Sequence, residues 1–209
     1  MKILFFGDSI TDMGRSKEAG AIPPLALGTG YPMIVASKLS ELYPKKHEVV
    51  NRGNGGNRIV DLYARIKADV WNEKPDMVVV LVGINDLWHE SIVKNGVDIE
   101  RFEKVYTMLI EDTLSALDGV KMVLLSPFVM KGSETEKQFE FFSQIHGYAE
   151  VVKKLAAKYG LYHLSLQEKF DAYAEKYGAE YYVYDGIHPN VAGATLIANA
   201  FIELVKDLL

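Results

Sequence analysis

Apolar residues are spaced along this chain in two alternating ways. Short β-branched or aromatic runs occupy Lys2 to Phe6, Glu48 to Asn51, Met77 to Val82, Lys121 to Ser126 and Leu161 to Leu164. Most are almost wholly apolar, the pattern of strands covered by helices on both faces. Between and after them lie longer stretches with helical spacing, near Tyr31 to Tyr43, Ile59 to Trp71, Ile99 to Leu117, Thr135 to Tyr159, Gln167 to Tyr177 and Val191 to Leu208. In the last, Asn190 stands where an N-cap belongs, and Leu196, Ile197, Ala200, Phe201, Leu204, Val205 and Leu208 share one face. Strand and helix in alternation predict an α/β fold with a five-stranded parallel sheet. No repeat, low-complexity tract or linker divides the sequence, so one domain over residues 1–209 is expected.

Four polar segments interrupt this scaffold, and the first three each follow a predicted strand. They are Gly7-Asp8-Ser9-Ile10, the run Asn51-Arg52-Gly53-Asn54-Gly55-Gly56-Asn57, Gly83-Ile84-Asn85-Asp86, and Asp185-Gly186-Ile187-His188. Ligands of open parallel sheets bind beyond the carboxyl ends of the strands, where strand order reverses. A flavodoxin-like order, with the first strand between the second and third, would bring Ser9, Gly56 and Asn85 to one crevice.

A serine on a tight turn after a buried strand presents its hydroxyl at the sheet edge, and a hydroxyl becomes a useful nucleophile only beside a base. Among five histidines, only His188 follows an acid at a useful interval: Asp185, three residues earlier, could accept the Nδ1 hydrogen and leave Nε2 to face Ser9. Backbone N–H groups of Ser9 and Gly56 and the Asn85 amide are the candidate oxyanion donors, glycine being suited to close approach. Asp8, Arg58, Trp88 and His89 are carried as candidate substrate-binding residues. Asp8, Asp12 and Asp86 are expected to hold loops rather than perform chemistry. Each residue alone has a plainer reading: Ser9 as a turn or N-cap serine, Asn85 and Asp86 as capping residues, His188-Pro189 as punctuation before the last helix. Those readings do not explain four such segments in this order.

The order Ser9, Gly56, Asn85, His188, with Gly-Asp-Ser near one end and Asp-x-x-His-Pro near the other, resembles the SGNH (GDSL-like) hydrolases. That resemblance implies a flavodoxin-like three-layer α/β/α sandwich and metal-independent ester hydrolysis by a Ser-His-Asp triad. The stretches Phe6 to Asp12, Gly14-Arg15, Gly28 to Tyr31 and Gly83 to Trp88 are similar, more narrowly, to bacterial acetylxylan esterases of the same superfamily. Those enzymes imply a homo-oligomeric, intracellular protein that removes acetyl groups from short xylosaccharides. In the second block, Gly55 stands where a serine is common and Arg58 where a threonine is common.

Composition narrows the alternatives. A formal net charge of -5 is not the footprint of a nucleic-acid binder. No segment has the length of apolar chain a membrane span needs, the N-terminal apolar run is too short for a signal peptide, and a cytoplasmic location is the expectation. Without cysteine there are no thiolate chemistry and no disulfides, and His47, His89, His146 and His163 lack metal-ligand spacing, so neither cofactor nor metal is expected. A haloacid-dehalogenase-like phosphotransferase would need a second aspartate where Ile10 stands. A dinucleotide-binding module would need a glycine where Arg58 stands. No amphipathic lid suggests a lipase-like surface, so acetyl is the favoured acyl group. The aromatic residues of Phe139 to Phe142 and Tyr177 to Tyr184 are read first as core, and Lys131 to Gln144 as a crevice wall or an oligomer contact.

Overall fold

A computed structural model describes residues 1–209. In chain order the elements are β1 (Lys2–Gly7), α1 (Ser9–Asp12), α2 (Pro23–Leu27), α3 (Tyr31–Leu42), β2 (Glu48–Gly53), α4 (Ile59–Asp69), β3 (Met77–Leu81), α5 (Ile84–Val93) and α6 (Ile99–Ala116). There follow β4 (Lys121–Ser126), α7 (Phe139–Phe142), α8 (Ile145–Tyr159), β5 (Tyr162–Ser165), α9 (Leu166–Tyr177) and α10 (Val191–Val205). The sheet order is β2-β1-β3-β4-β5, and every pairing is parallel.

Central position explains the composition of the strands. All five residues of β3 are buried, whereas β2 and β5, at the sheet edges, keep several residues partly exposed. The connection from β1 to β2 runs opposite to the later ones, so right-handed crossovers put α3 on one face and α4, α6 and α8 on the other. Accordingly α4 packs on α6 and α6 on α8, while α3 and α9 each pack on α10. Successive residues of β1 serve the two layers. Phe5 meets Tyr31 of α3 and Phe201 of α10 edge-on, at centroid distances of 5.2 and 5.3 Å, and Phe6 lies 4.4 Å beneath the Arg65 guanidinium of α4.

The strands lie close to their expected positions, with β2 extending into the second polar segment as far as Gly53. Pairing explains the extension, since Gly7 is in register with both Gly53 and Leu81. Three helical expectations are corrected. α5 is a helix where only a polar turn was read, because its first turn carries buried Asn85 and Asp86 and so masks the apolar period. The stretch Thr135 to Tyr159 is a short turn, α7 and α8 rather than one helix. Phe139, Phe142, Ile145 and Tyr148 keep a spacing of three across the break, so hydrophobic periodicity does not report it. Finally, the buried stripe of α10 runs through Ala194, Ile197, Ala198, Phe201 and Val205, leaving Ala200 and Leu204 half-buried. Asn190 caps this helix, accepting hydrogen bonds from the N–H groups of Ala192 and Gly193.

Candidate active site

Ser9 is positioned by what surrounds its turn. Asp8 caps α1, accepting the Ile10 N–H at 3.0 Å, so Ser9 becomes the first helical residue, whose own N–H has no partner within the helix. Behind the turn, the Asn51 amide donates to the carbonyls of Thr11 (2.7 Å) and Leu27 (2.8 Å), while its oxygen accepts the Gly53 N–H at 2.8 Å. Gly53 packs so closely that a Cβ there would strike the backbone of Thr11 and Asp12. Arg65 donates to the carbonyls of Gly7 and Arg52, tying the ends of β1 and β2 together.

The second polar segment then folds over the first. Asp12 Oδ2 accepts the Gly55 N–H at 2.9 Å and the Lys17 ammonium at 3.1 Å. Gly55 lies against Ser9, since a Cβ on it would be 3.9 Å from Ser9 Cβ. The next residue, Gly56, has φ +78°, and its N–H makes no hydrogen bond to another protein group. From the third segment, the buried Asn85 donates its amide to the Asn57 carbonyl at 3.1 Å. Asp86 beside it accepts the Ile59 N–H with both oxygens, at 3.0 and 3.2 Å. The first three segments therefore meet.

The fourth arrives from beyond the edge strand β5, and its path was not readable in the sequence. Phe128, just after β4, stacks on Phe170 of α9 at 4.1 Å, and Phe170 in turn meets Tyr182 edge-on. Gln167 of α9 accepts the Val129 N–H and donates to its carbonyl, both at 3.0 Å. From this anchored loop, Met130 N–H donates to the Gly186 carbonyl at 2.8 Å and Glu134 N–H to that of Asp185 at 3.0 Å. Thr135, fully buried, donates to the Met130 carbonyl at 2.6 Å and accepts the Gly132 N–H at 3.0 Å. A bridge between Val183 and Pro189 closes the loop. So part of the 131–144 segment is a bracket beneath Asp185 and Gly186, a role not among those expected for it.

On that bracket His188 reaches across the sheet, with Nε2 2.8 Å from Ser9 Oγ and Nδ1 2.6 Å from Asp185 Oδ2. Asp185 Oδ1 accepts the N–H groups of Ile187 (2.8 Å) and His188 (2.7 Å). A carboxylate against Nδ1 makes that nitrogen the protonated one and leaves Nε2 to accept the serine proton. Burial works against the charge on Asp185, but the hydrogen bonds from the His188 ring and from these two N–H groups outweigh it and hold the carboxyl below its usual range. Burial would likewise depress His188. The hydrogen bond and charge of Asp185, helped by the charge of Asp8, instead raise it above the ordinary histidine value.

The crevice over Ser9 and His188 has a volume of about 560 Å³, and its walls include Asp12, Met13, Arg15, Lys17, Gly55 and Tyr184. Tyr184, 59% exposed, stacks on His188 with ring centroids 5.6 Å apart and planes 13° from parallel. Its placement corrects in part the reading of the Tyr177 to Tyr184 run as core: Tyr182 is buried, but Tyr177, Tyr181 and Tyr184 are exposed. The Trp88 ring lies 6.5 Å from the imidazole, centroid to centroid, and meets Phe142 edge-on at 6.0 Å. His89 is half-buried near Gly56. Arg58 is engaged elsewhere, forked onto Asp61 and donating to the Asn95 carbonyl at 2.6 Å. Asp8 is 1% exposed and presents no carboxylate to the crevice. Neither Arg58 nor Asp8 is thus disposed to touch substrate as carried from the sequence. Burial pushes Asp8 up to about 7, against the pull of the Ile10 N–H and the His188 charge. Asp86 is pushed to about 8, also by burial, and Asp8 adds to the effect.

A second serine–histidine pair sharpens the assignment. Ser126 Oγ lies 2.7 Å from His163 Nε2, yet that serine is buried and no acid bonds the imidazole. Only the pair at Ser9 combines an open crevice, an oriented imidazole and nearby N–H donors, the equipment of acyl transfer.

The family model for the GDSL-like lipase/acylhydrolase family matches residues 5–196. An acetylxylan esterase of Geobacillus stearothermophilus is 34% identical over 97% of this chain and 92% of its own. The crystal structure of an acetylxylan esterase from Geobacillus stearothermophilus superposes with a TM-score of 0.86 at 32% identity, covering 98% of this chain and 93% of that one, and catalytic mutants of that enzyme include one that replaces a serine and one that replaces an aspartate, each by alanine. A GDSL-like lipase structure from Parabacteroides merdae has a TM-score of 0.93 at 28% identity, covering 98% of this chain and 95% of that one.

Proposed function

Because this chain belongs to the GDSL-like lipase/acylhydrolase family and is a carboxylic ester hydrolase, we propose that Ser9, His188 and Asp185 are its catalytic triad. We propose also that the N–H groups of Ser9 and Gly56, with the Asn85 amide, form its oxyanion hole. His188 removes the Ser9 proton as Oγ attacks the ester carbonyl, and the three donors stabilise the tetrahedral oxyanion. The imidazolium then protonates the departing alkoxide, and water activated by the same histidine releases the acid and restores Ser9. The observation that carries this reading is the unbroken relay from Ser9 Oγ through His188 to Asp185, at 2.8 and 2.6 Å. Further support comes from the Geobacillus enzyme, whose mutated serine and aspartate are as far apart in its chain as Ser9 and Asp185 are here.

The substrate reading is an acetylated carbohydrate, with short acetylated xylosaccharides the first choice, since the Geobacillus relative is an acetylxylan esterase. The crevice is modest, and its walls carry Lys17, Arg15 and the exposed face of Tyr184 rather than a broad apolar surface. Such walls suit a polar alcohol better than a lipid. The protein acts without cofactor, in the cytoplasm, as a homo-oligomer. Wild type and Ser9→Ala compared on a chromogenic acetyl ester test the nucleophile, and equal rates remove it. Acetate release from acetylated xylosaccharides tests the substrate; cleavage of the synthetic ester alone reduces the reading to a short-chain esterase.

A further inference from the structure

Tyr184 is the one tyrosine of its aromatic run that packs on no other tyrosine. Tyr173 and Tyr181 meet Tyr182 edge-on, at 6.0 and 5.0 Å, and Tyr177 tilts against Tyr181 at 6.0 Å, so those four rings support one another. Tyr184 turns instead to the relay, its plane 13° from that of the His188 ring and the centroids 5.6 Å apart. The backbone fixes this pairing. Tyr184 N–H donates to the His188 carbonyl at 3.1 Å, beside the Val183–Pro189 bridge, so the two residues oppose each other across the neck of the loop that carries Asp185. Trp88, by contrast, is inclined at 55° to the imidazole and does not lie flat on it. With Tyr184 59% exposed, burial accounts for little of its placement. What the placement supplies is a π face laid along the imidazole, and such a face attracts a cation within about 6 Å of its centre. His188 is neutral before it takes the Ser9 proton and cationic afterwards.

We propose that Tyr184 is a positioning residue acting through His188: its ring face holds the plane of the imidazole and favours the imidazolium that forms as Ser9 attacks. The inference rests on the reading of Ser9 and His188 given above. Asp185 and Ser9 hold the ring only at its two nitrogens, along its edge, and tipping about the line between those atoms is opposed by a flat contact. The charged groups that face the imidazole are Asp185 and, through its charge, Asp8, with Asp12, Arg15 and Lys17 in the crevice wall. All of them stay in place when the Tyr184 ring is exchanged.

Tyr184→Leu keeps an apolar side chain and removes the π face. On a small chromogenic acetyl ester it should lower kcat about 2- to 5-fold with KM within about 2-fold. The His188 ring, followed by NMR, and the acid limb of kcat/KM should both titrate lower by about a few tenths of a unit. Tyr184→Phe, which keeps the face, should restore all of these. Increasing ring fluorination of that phenylalanine drains negative charge from the face while nearly keeping its shape, so kcat should fall step by step. Equal kcat and equal His188 titration in the leucine and phenylalanine variants overturn the proposal, and so does a loss confined to KM, which makes the ring a substrate wall only. A loss that accompanies subunit dissociation in size-exclusion chromatography overturns it as well, the ring then being a contact between copies. The two readings fail separately: an active Ser9→Ala protein overturns the nucleophile assignment, whereas a fluorination series flat in kcat overturns the role of Tyr184.

Discussion

Asp12 and Gly55 are joined by a 2.9 Å hydrogen bond from the glycine N–H to Oδ2, and this bond leaves the following N–H, that of Gly56, as the unpartnered one. Asp12 thereby decides which glycine of the pair keeps a free N–H for the proposed oxyanion hole. Replacing it with alanine releases Gly55, and also the Arg15 N–H and the Lys17 ammonium that the same carboxylate holds. Asp12→Ala should therefore lower kcat by roughly 10- to 100-fold, less than loss of a donor itself, with a smaller change in KM. Asp12→Asn, which retains an acceptor oxygen, should keep most of the activity. Steady-state kinetics of the two variants on one acetyl ester make the comparison. Equal losses in both would assign the effect to charge rather than to the glycine register.

Asn85 is a direct test of the oxyanion proposal. Asn85→Ala should reduce kcat by roughly 100- to 1,000-fold while KM stays within a few-fold, because the amide acts on charge that develops only in the transition state. The same amide bonds the Asn57 carbonyl, so a stability loss of about 1 kcal/mol should accompany it. Thermal melting at the assay pH separates the two effects. A variant that melts lower but turns over as wild type would reduce Asn85 to a loop tie.

Only neutral imidazole can take the Ser9 proton, and His188 is raised above the usual histidine value by Asp185 and Asp8. A raised folded-state value means that the base is still protonated at a pH where an ordinary histidine would be free. Activity should accordingly rise with pH through a midpoint above about 6.5. Asp185→Asn removes the larger of the two raising influences and the hydrogen bond that selects the tautomer. It should cost on the order of 10⁴-fold in kcat, and the residual activity should titrate at lower pH. A pH profile of kcat/KM from pH 5 to 9 for both proteins reads this. An acid limb unchanged by Asp185→Asn would count against His188 as the titrating base.

Much of this was legible because the chemistry restricts residue types. A serine directly after an apolar strand, a glycine pair, an asparagine after the third strand and an acid three residues before a histidine are visible in the sequence, and the fold brings these segments into contact with one another. The strands were legible because burial on both faces leaves near-continuous apolar runs. What stayed hidden depends on contacts distant in sequence. Nothing periodic relates Met130 and Glu134 to the backbone of Gly186 and Asp185, so the route by which His188 crosses the sheet could not be read. Tyr184 looked like core because aromatic density carries no information about facing. Arg58 did leave a signal that was missed: Asp61, three residues on at the start of α4, is at the spacing of a capping box, and that aspartate holds the guanidinium.

The bracket itself is open to test through Thr135, which touches neither Ser9 nor His188. Its hydroxyl donates to the Met130 carbonyl and accepts the Gly132 N–H, and the backbone on either side supports Gly186 and Asp185. Thr135→Val preserves shape but leaves a buried carbonyl and N–H without partners, costing about 1 to 3 kcal/mol. For a chain of this length that corresponds to a fall in Tm of about 2 to 4 °C per kcal/mol. If the bracket sets the reach of His188, kcat should fall several-fold beyond what the lost stability explains at a temperature well below the transition. Thr135→Ser, which keeps the hydroxyl, should restore both quantities. Full turnover in Thr135→Val despite a lowered Tm would show that the loop carrying Asp185 and His188 holds its geometry by its own Val183–Pro189 closure, and that the bracket contributes stability alone.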